Sequence, residues 1–456
     1  MRLPLRVLLI ITVVLLVGCT HLRGAGQSPA TPTSGVITPT ATRNALPLPE
    51  RHVLPNGVVL IVQEHRASDV VALQLWVKVG GRDESPDEFG LSHYLEHMLF
   101  KGTPTRPPGS IDLMVEGVGG QSNAFTSSDF THYDVVLPAD RAAAGIEMLA
   151  DIAVNANFDR KELESEKQVV FEEMRLTEDD PDRFLARRLG EEAYAGMPYG
   201  RPILGTRPLI EALTRERLAA YYHKWYVPAN MVLVVVGAVD PARIRQLTAD
   251  SFGRLPGERV PRAATPPQPD LTGGRRVDVR RPEKQAHLGI AWKAPAISEP
   301  DIFATDLLSY ILGDSPSSRL NVALRERTGL VSSIEAQYIP REKGGLFMVT
   351  AILEPANLDR AEAAILDVVR RVQAEGVTEA ERARAIITAE SSYAFDIETA
   401  EGLAKVYGQA EAMWSLENEL RYLDRLRQIT SPEIQAAART YLSLADYVRV
   451  RFVPGP

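Results

Sequence analysis

Two stretches of this chain repeat one another without a gap: Leu213–Val236 aligns on Ile429–Phe452, 216 residues further on. The alignment sets Thr214 on Thr430, Leu218 on Ile434, Trp225 on Tyr441, Ala229 on Ala445 and Val232 on Val448. The same separation sets Trp76 on Trp292, each near the end of an early strand-like run. One offset serving two distant segments points to duplication rather than to amphipathic patterns that happen to coincide. Within the unit, β-like runs at 58–63, 70–79, 131–137 and 231–237 alternate with helical ones at 91–100, 160–177 and 215–225. The expected fold class is therefore α+β: two tandem homologous domains, each a sheet packed with helices. Pro256, Pro261, Pro266, Pro267, Pro269 and the pair Gly273-Gly274 break both periodicities. They predict a linker over 253–274 between domains at 50–252 and 275–456, each long enough to bury a core.

The first residues read as an address. Arg2 and Arg6 precede an apolar run, Val7–Val17, that closes on Gly18-Cys19. That run is well short of the ~20 residues needed to cross a bilayer. Leu16-Val17-Gly18-Cys19 resembles the lipobox of bacterial lipoproteins, which implies a signal peptide over 1–18 and a lipid on Cys19. The segment 19–49 is rich in Thr, Pro, Ser, Ala and Gly and reads as a flexible tether. Together these predict an exported protein, lipid-anchored at the bacterial envelope.

Cys19 is the only cysteine, so the folded part has neither a disulfide nor a thiolate metal site. A net charge of -8 gives no electrostatic reason to expect nucleic acid as a partner. Any metal must be held by His, Asp or Glu. The eight histidines include one arresting pair, in His93-Tyr94-Leu95-Glu96-His97. On a helix, positions i, i+3 and i+4 share a face, so His93 and His97 can hold one zinc ion with Glu96 beside it. Such zinc lowers the pKa of its water to about 7, and the carboxylate can take the proton as that water attacks a carbonyl. The same helix frames the pair with Leu91, Leu95, Met98 and Leu99, which predicts a buried setting where ionisable groups need partners.

His-x-x-Glu-His is the inverzincin signature. The wider stretch Gly90-Leu91-Ser92-His93-Tyr94-Leu95-Glu96-His97-Met98-Leu99-Phe100-Lys101-Gly102-Thr103 resembles the pitrilysin (M16) family of zinc metallopeptidases. Mitochondrial processing peptidases and insulin-degrading enzyme belong to that family, and the resemblance spans nearly all of residues 50–456. It implies a third zinc ligand, a glutamate directly before a methionine on a later helix. Glu173, 76 residues beyond His97 and followed by Met174, fits that place, with Glu172 the alternative in a glutamate-rich helix. Glu166, seven residues earlier, matches a second carboxylate that supports the site. Gly119–Thr126 resembles the family's edge strand, to which an extended substrate adds by backbone hydrogen bonds; this implies substrate contact at Asn123 and Ala124.

In the second half, Ser317-Ser318-Arg319-Leu320 and Leu324–Leu330 also match the family, which implies a substrate role for Arg325. The family often carries a tyrosine seven residues after that arginine, placed to stabilise the oxyanion. Here that position is Ser332, and the nearest tyrosine, Tyr338, is out of register. Two assemblies follow as alternatives: a heterodimer with a metal-free homologue that carries the Arg/Tyr pair, or a homodimer with another donor. The function expected is a zinc-dependent endopeptidase acting on peptides or unfolded segments outside the cytoplasm, with Glu96 as general base. The alternative is a non-catalytic scaffold or assembly subunit of an envelope complex.

Overall fold

The computed structural model describes residues 47–258 and 261–455; Cys19, the signal 1–18 and the tether up to residue 46 lie outside the described residues. The first half builds a six-stranded sheet from β1 (Glu50–Val53), β2 (Val59–Glu64), β3 (Val70–Val77), β4 (Gln121–Thr126), β5 (Thr131–Pro138) and β6 (Met231–Gly237), in the order β1-β2-β6-β3-β5-β4. The second builds a five-stranded sheet from β7 (Arg275–Arg281), β8 (Ala286–Ala294), β9 (Ser333–Arg341), β10 (Gly344–Leu353) and β11 (Val448–Pro454), in the order β7-β11-β8-β10-β9. Without β1, the two orders are the same. The helices of nine or more residues in the first half are α1 (Leu91–Leu99), α2 (Ala142–Asn155), α3 (Arg160–Asp179), α4 (Pro181–Ala193), α5 (Arg215–Trp225) and α6 (Pro241–Asp250). Those of the second are α7 (Ile302–Leu312), α8 (Leu358–Glu375), α9 (Glu379–Asp396), α10 (Ala400–Met413) and α11 (Ser431–Tyr441).

The repeated segments become α5–β6 and α11–β11. The aligned Thr214 and Thr430 both cap their helices, Thr214 by accepting from the Arg217 amide and Thr430 in a capping box with Glu433. The parallel pairing also keeps the offset: Val59 faces Val232 in one sheet, and Arg275 faces Val448 in the other. The tryptophans do not. Trp76 lies opposite Val232, but the residue opposite Val448 is Ala291, so Trp292 is one step out of register with Trp76. Side chains alternate along a strand, so this one-residue slip turns the two indoles to opposite faces. Trp292 packs in its own half's core with Leu307 and Leu308, whereas Trp76 faces α10 of the other half.

That contact belongs to a reciprocal exchange. Each half covers one sheet face with its own helices; in the first this core includes Leu73, Leu75, Val135, Ile146 and Leu218. The opposite face is covered by a helix from the other half. α10 lays Ala400, Leu403, Ala404 and Tyr407 on Ala72, Trp76, Val232 and Val234. α4 lays Leu185, Leu189 and Ala193 on Ala291, Val448 and Val450. Arg51 grips the buried Glu411 of α10 through both carboxylate oxygens, at 2.8 and 3.0 Å. The halves thus share their apolar burial. Among the described residues, no helix is long and apolar enough to cross a membrane.

Candidate metal centre

α1 begins at Gly90, whose φ of +93° suits glycine and whose missing side chain leaves the helix without a cap of its own. Glu84 caps it from outside. Its Oε1 accepts from the Ser92 amide at 2.8 Å and its Oε2 from the Gly90 amide at 3.0 Å. Burial pushes this carboxyl up to about 8, more than the two amides pull it down. A Cβ at Gly90 would fall 2.7 Å from the Cα of Gly205, so the start of α1 is pressed against the backbone of that loop. Leu91, Tyr94, Leu95, Met98 and Leu99 point into the first core. Their spacing leaves His93, Glu96 and His97 on the remaining face.

α3 lies against that face. Asp159 caps its start, and Leu163 and Val170 anchor it in the core. Glu166 and Glu173, two turns apart, then reach α1 from the same side. Oε2 of Glu173 is 3.4 Å from Nε2 of His93 and 3.4 Å from Nε2 of His97. One ligand atom from each of the three residues lies within 4.8 Å of the others. Glu172 faces solvent, with its side chain 55% exposed and paired with Arg175. Oε2 of Glu166 bonds Nδ1 of His97 at 3.0 Å, and its other oxygen lies 2.6 Å from Nζ of Lys101.

The donor atoms of this cluster lie close enough together to share one cation. Burial holds the His93 imidazole well below its ordinary range, with the His97 charge adding to the effect. Burial acts the same way on His97, but its hydrogen bond to Glu166 and the nearby charge of Glu173 outweigh it and raise that ring to about 10. Nε2 of His97 and Nδ1 of His93 are buried without a hydrogen-bond partner. Two imidazoles and a carboxylate converging on one point, with a buried nitrogen left unbonded there, form a donor set that fits a divalent metal. The Glu166 bond to Nδ1 is the outer contact that fixes such a ring and leaves Nε2 as the donor.

Glu96 stands beside the three. Its Oε2 accepts from the Thr126 hydroxyl at 2.6 Å. Burial raises its carboxyl to about 7, against the pull of His97 and Thr126. Thr126 ends β4, which among the described residues is the outer strand of its sheet and pairs with β5 alone. Asn123 is exposed and Ala124 half-buried on that strand. The structure does not bring Arg325 to the cluster: its guanidinium is half-exposed in a π-helical turn (Asn321–Glu326), and its carboxylate neighbour is Glu326, at 3.9 Å. Tyr338 is engaged elsewhere, donating to the Pro295 carbonyl at 2.7 Å, and Ser332 donates to that of Ile352. Glu84, Lys101 and Thr126 are contacts that sequence reasoning passes over. Lys101 alone carries a signal, at four residues beyond His97.

Residues 59–207 match the family model described as insulinase (peptidase family M16), and residues 212–388 match the peptidase M16 inactive domain. An uncharacterized zinc protease of Mycobacterium tuberculosis is 30% identical over 399 residues, covering 87% of this chain and 91% of the relative. The uncharacterized zinc protease YmxG of Bacillus subtilis is 27% identical over 411 residues, covering 89% and 98%. A crystal structure of a protease from Helicobacter pylori superposes with a TM-score of 0.83 at 25% identity, covering 90% of this chain and all of that one. A putative M16-like peptidase from Alicyclobacillus acidocaldarius shares the fold, with a TM-score of 0.79, 22% identity and coverage of 90% and 98%. This chain belongs to the M16 peptidase family.

Proposed function

We propose that this protein is a zinc-dependent endopeptidase acting on peptides or unfolded protein segments outside the cytoplasm. The convergence of His93, His97 and Glu173, with the carboxyl of Glu96 beside them, carries the reading; the zinc proteases among its relatives support the choice of metal. His93, His97 and Glu173 would hold the zinc. Bound there, it supplies Lewis acidity toward a scissile carbonyl and makes water more acidic. Glu96 takes the proton of the attacking water and returns it to the leaving amine; a carboxyl raised to about 7 suits both transfers. Glu166 fixes the His97 ring. β4 offers a substrate its unpaired backbone edge at Asn123 and Ala124, a mode that binds extended chains with little regard for sequence.

The hydrogen bonds of Tyr338 and Ser332 favour an oxyanion donor from outside this chain. A homologous, metal-free subunit with the Arg/Tyr pair would supply it; a homodimer would need another donor. The lipid at Cys19 would hold the assembly at the envelope. One assay tests the reading: cleavage of an extended fluorogenic peptide by the purified protein, compared with Glu96→Gln. We expect kcat to fall by about 10²–10⁴ in the variant, with zinc retained. An equal rate in the variant would refute the mechanism, and full turnover by the chain without any homologue would remove the need for a heterodimer.

A further inference from the structure

Three segments and the side chain of Tyr199 meet in a buried polar knot where the second half touches the first. One is the turn after β3, which carries Arg82 and leads through Glu84 into α1. Another is the β4–β5 hairpin tip, Ser127–Phe130, directly after Thr126. The third is the β9–β10 hairpin tip, Arg341–Lys343, from the second half. Arg82 is only 7% exposed, and its guanidinium lies 3.1 Å from Oδ1 of Asp129. It also pairs with the carboxylate of Glu342 and donates to the Tyr199 hydroxyl at 3.2 Å. That hydroxyl donates to Asp129 at 2.6 Å and accepts from the Lys343 amide at 3.1 Å. The backbone ties the same turn to the hairpin, with the amides of Gly81 and Arg82 donating to the carbonyls of Ser127 and Ser128.

Among the described residues the second half contributes none to the metal cluster, yet Glu342 closes this knot. Asp83 is paired with Arg262 at 3.4 Å and lies 3.9 Å from Nε of Arg82, so the carboxylates closest to the Arg82 guanidinium are those of Asp129 and Glu342. We propose that Glu342 is a positioning residue: from the second half it holds Arg82, and through Arg82 and Asp129 it fixes the β4–β5 hairpin beside Glu96 and so sets the substrate edge. An edge strand gives affinity only as far as its backbone is held in register, so a loosened hairpin weakens substrate binding before it touches the metal. The inference rests on the reading of β4 as the substrate edge, but its first consequence, a stiff hairpin, does not depend on activity.

The experiment uses the full chain with Glu342→Ala and Glu342→Gln, the latter keeping a neutral acceptor for Arg82. Hydrogen exchange at 121–138 is measured together with zinc affinity by chelator competition and with kcat and KM on the fluorogenic peptide. In Glu342→Ala we expect exchange of the β4–β5 amides to rise at least about tenfold, KM to rise about five- to tenfold and zinc affinity to stay within twofold. Glu342→Gln, which disturbs the fold least, should fall between the two. Unchanged hairpin exchange in both variants would overturn the proposal; so would loss of zinc in step with KM, which would mean that Glu342 acts through α1. If the unaltered protein cleaves nothing even with a homologous subunit that carries the Arg/Tyr pair, the peptidase reading fails, while hairpin exchange still decides the role of Glu342.

Discussion

Glu173→Gln will release the metal and reduce peptide hydrolysis by at least about a hundredfold, while Glu172→Gln will leave both within about twofold. The two residues are neighbours on α3, but the helix turns them apart. Glu173 points an oxygen at both imidazoles, 3.4 Å from each. Glu172 is paired with Arg175 in solvent, where water and salt screen the pair. Removing an outer partner of a metal ligand already costs about 10–100-fold in affinity or activity, so the loss of a direct donor exceeds that range. Metal analysis of the two purified variants, followed by the peptide assay, checks the result. Metal lost from Glu172→Gln and kept by Glu173→Gln would reverse the assignment.

Gly408→Ala will destabilise the protein by about 3 kcal/mol, the upper end for an overpacked core. Gly408 is the point on α10 that meets Trp76; a Cβ there would lie 2.0 Å from the indole Nε1. The indole has no room to retreat, being fully buried and bonded to Gln74, whose amide in turn donates to the Glu401 carbonyl of α10. The strain therefore falls on the docking of the second half against the first sheet. Gly190→Ala is the matched control in α4, the helix exchanged the other way. Nothing lies within 4 Å of its Cβ, so the gain in helix propensity, about 0.5–1 kcal/mol, is unopposed. Urea unfolding of the two variants should shift in opposite directions; equal shifts would mean that α10 does not hold the halves together.

The contrast between these two glycines shows where sequence reading reaches its limit. Periodicity located α1, α3 and α5 and the strands β2, β3, β5 and β6 to within a few residues, because each carries a strong apolar stripe of its own. It could not tell that α4 and α10 cover the sheet of the other half, since an apolar stripe does not name its partner. The tryptophan match failed for a related reason. A one-residue slip costs nothing in an alignment, but it turns the side chain to the opposite face. At the site, His93, Glu96 and His97 were legible because helical spacing alone brings them together. The choice of Glu173 over Glu172 came from the family resemblance, and the α3 geometry gives its physical reason. Glu84, Thr126 and Glu342 were illegible. Each acts on the site from a distant part of the chain, through a backbone amide, a strand end or a second hairpin, and none of these leaves a periodic trace.

We propose that one divalent ion sits between α1 and α3. Metal analysis of protein purified from its host without chelator, alongside the His93→Ala and His97→Ala variants, tests it most directly. We expect one zinc per chain in the unaltered protein and close to none in either variant. A natural protein that carries no zinc, or variants that carry as much as the parent, would contradict it.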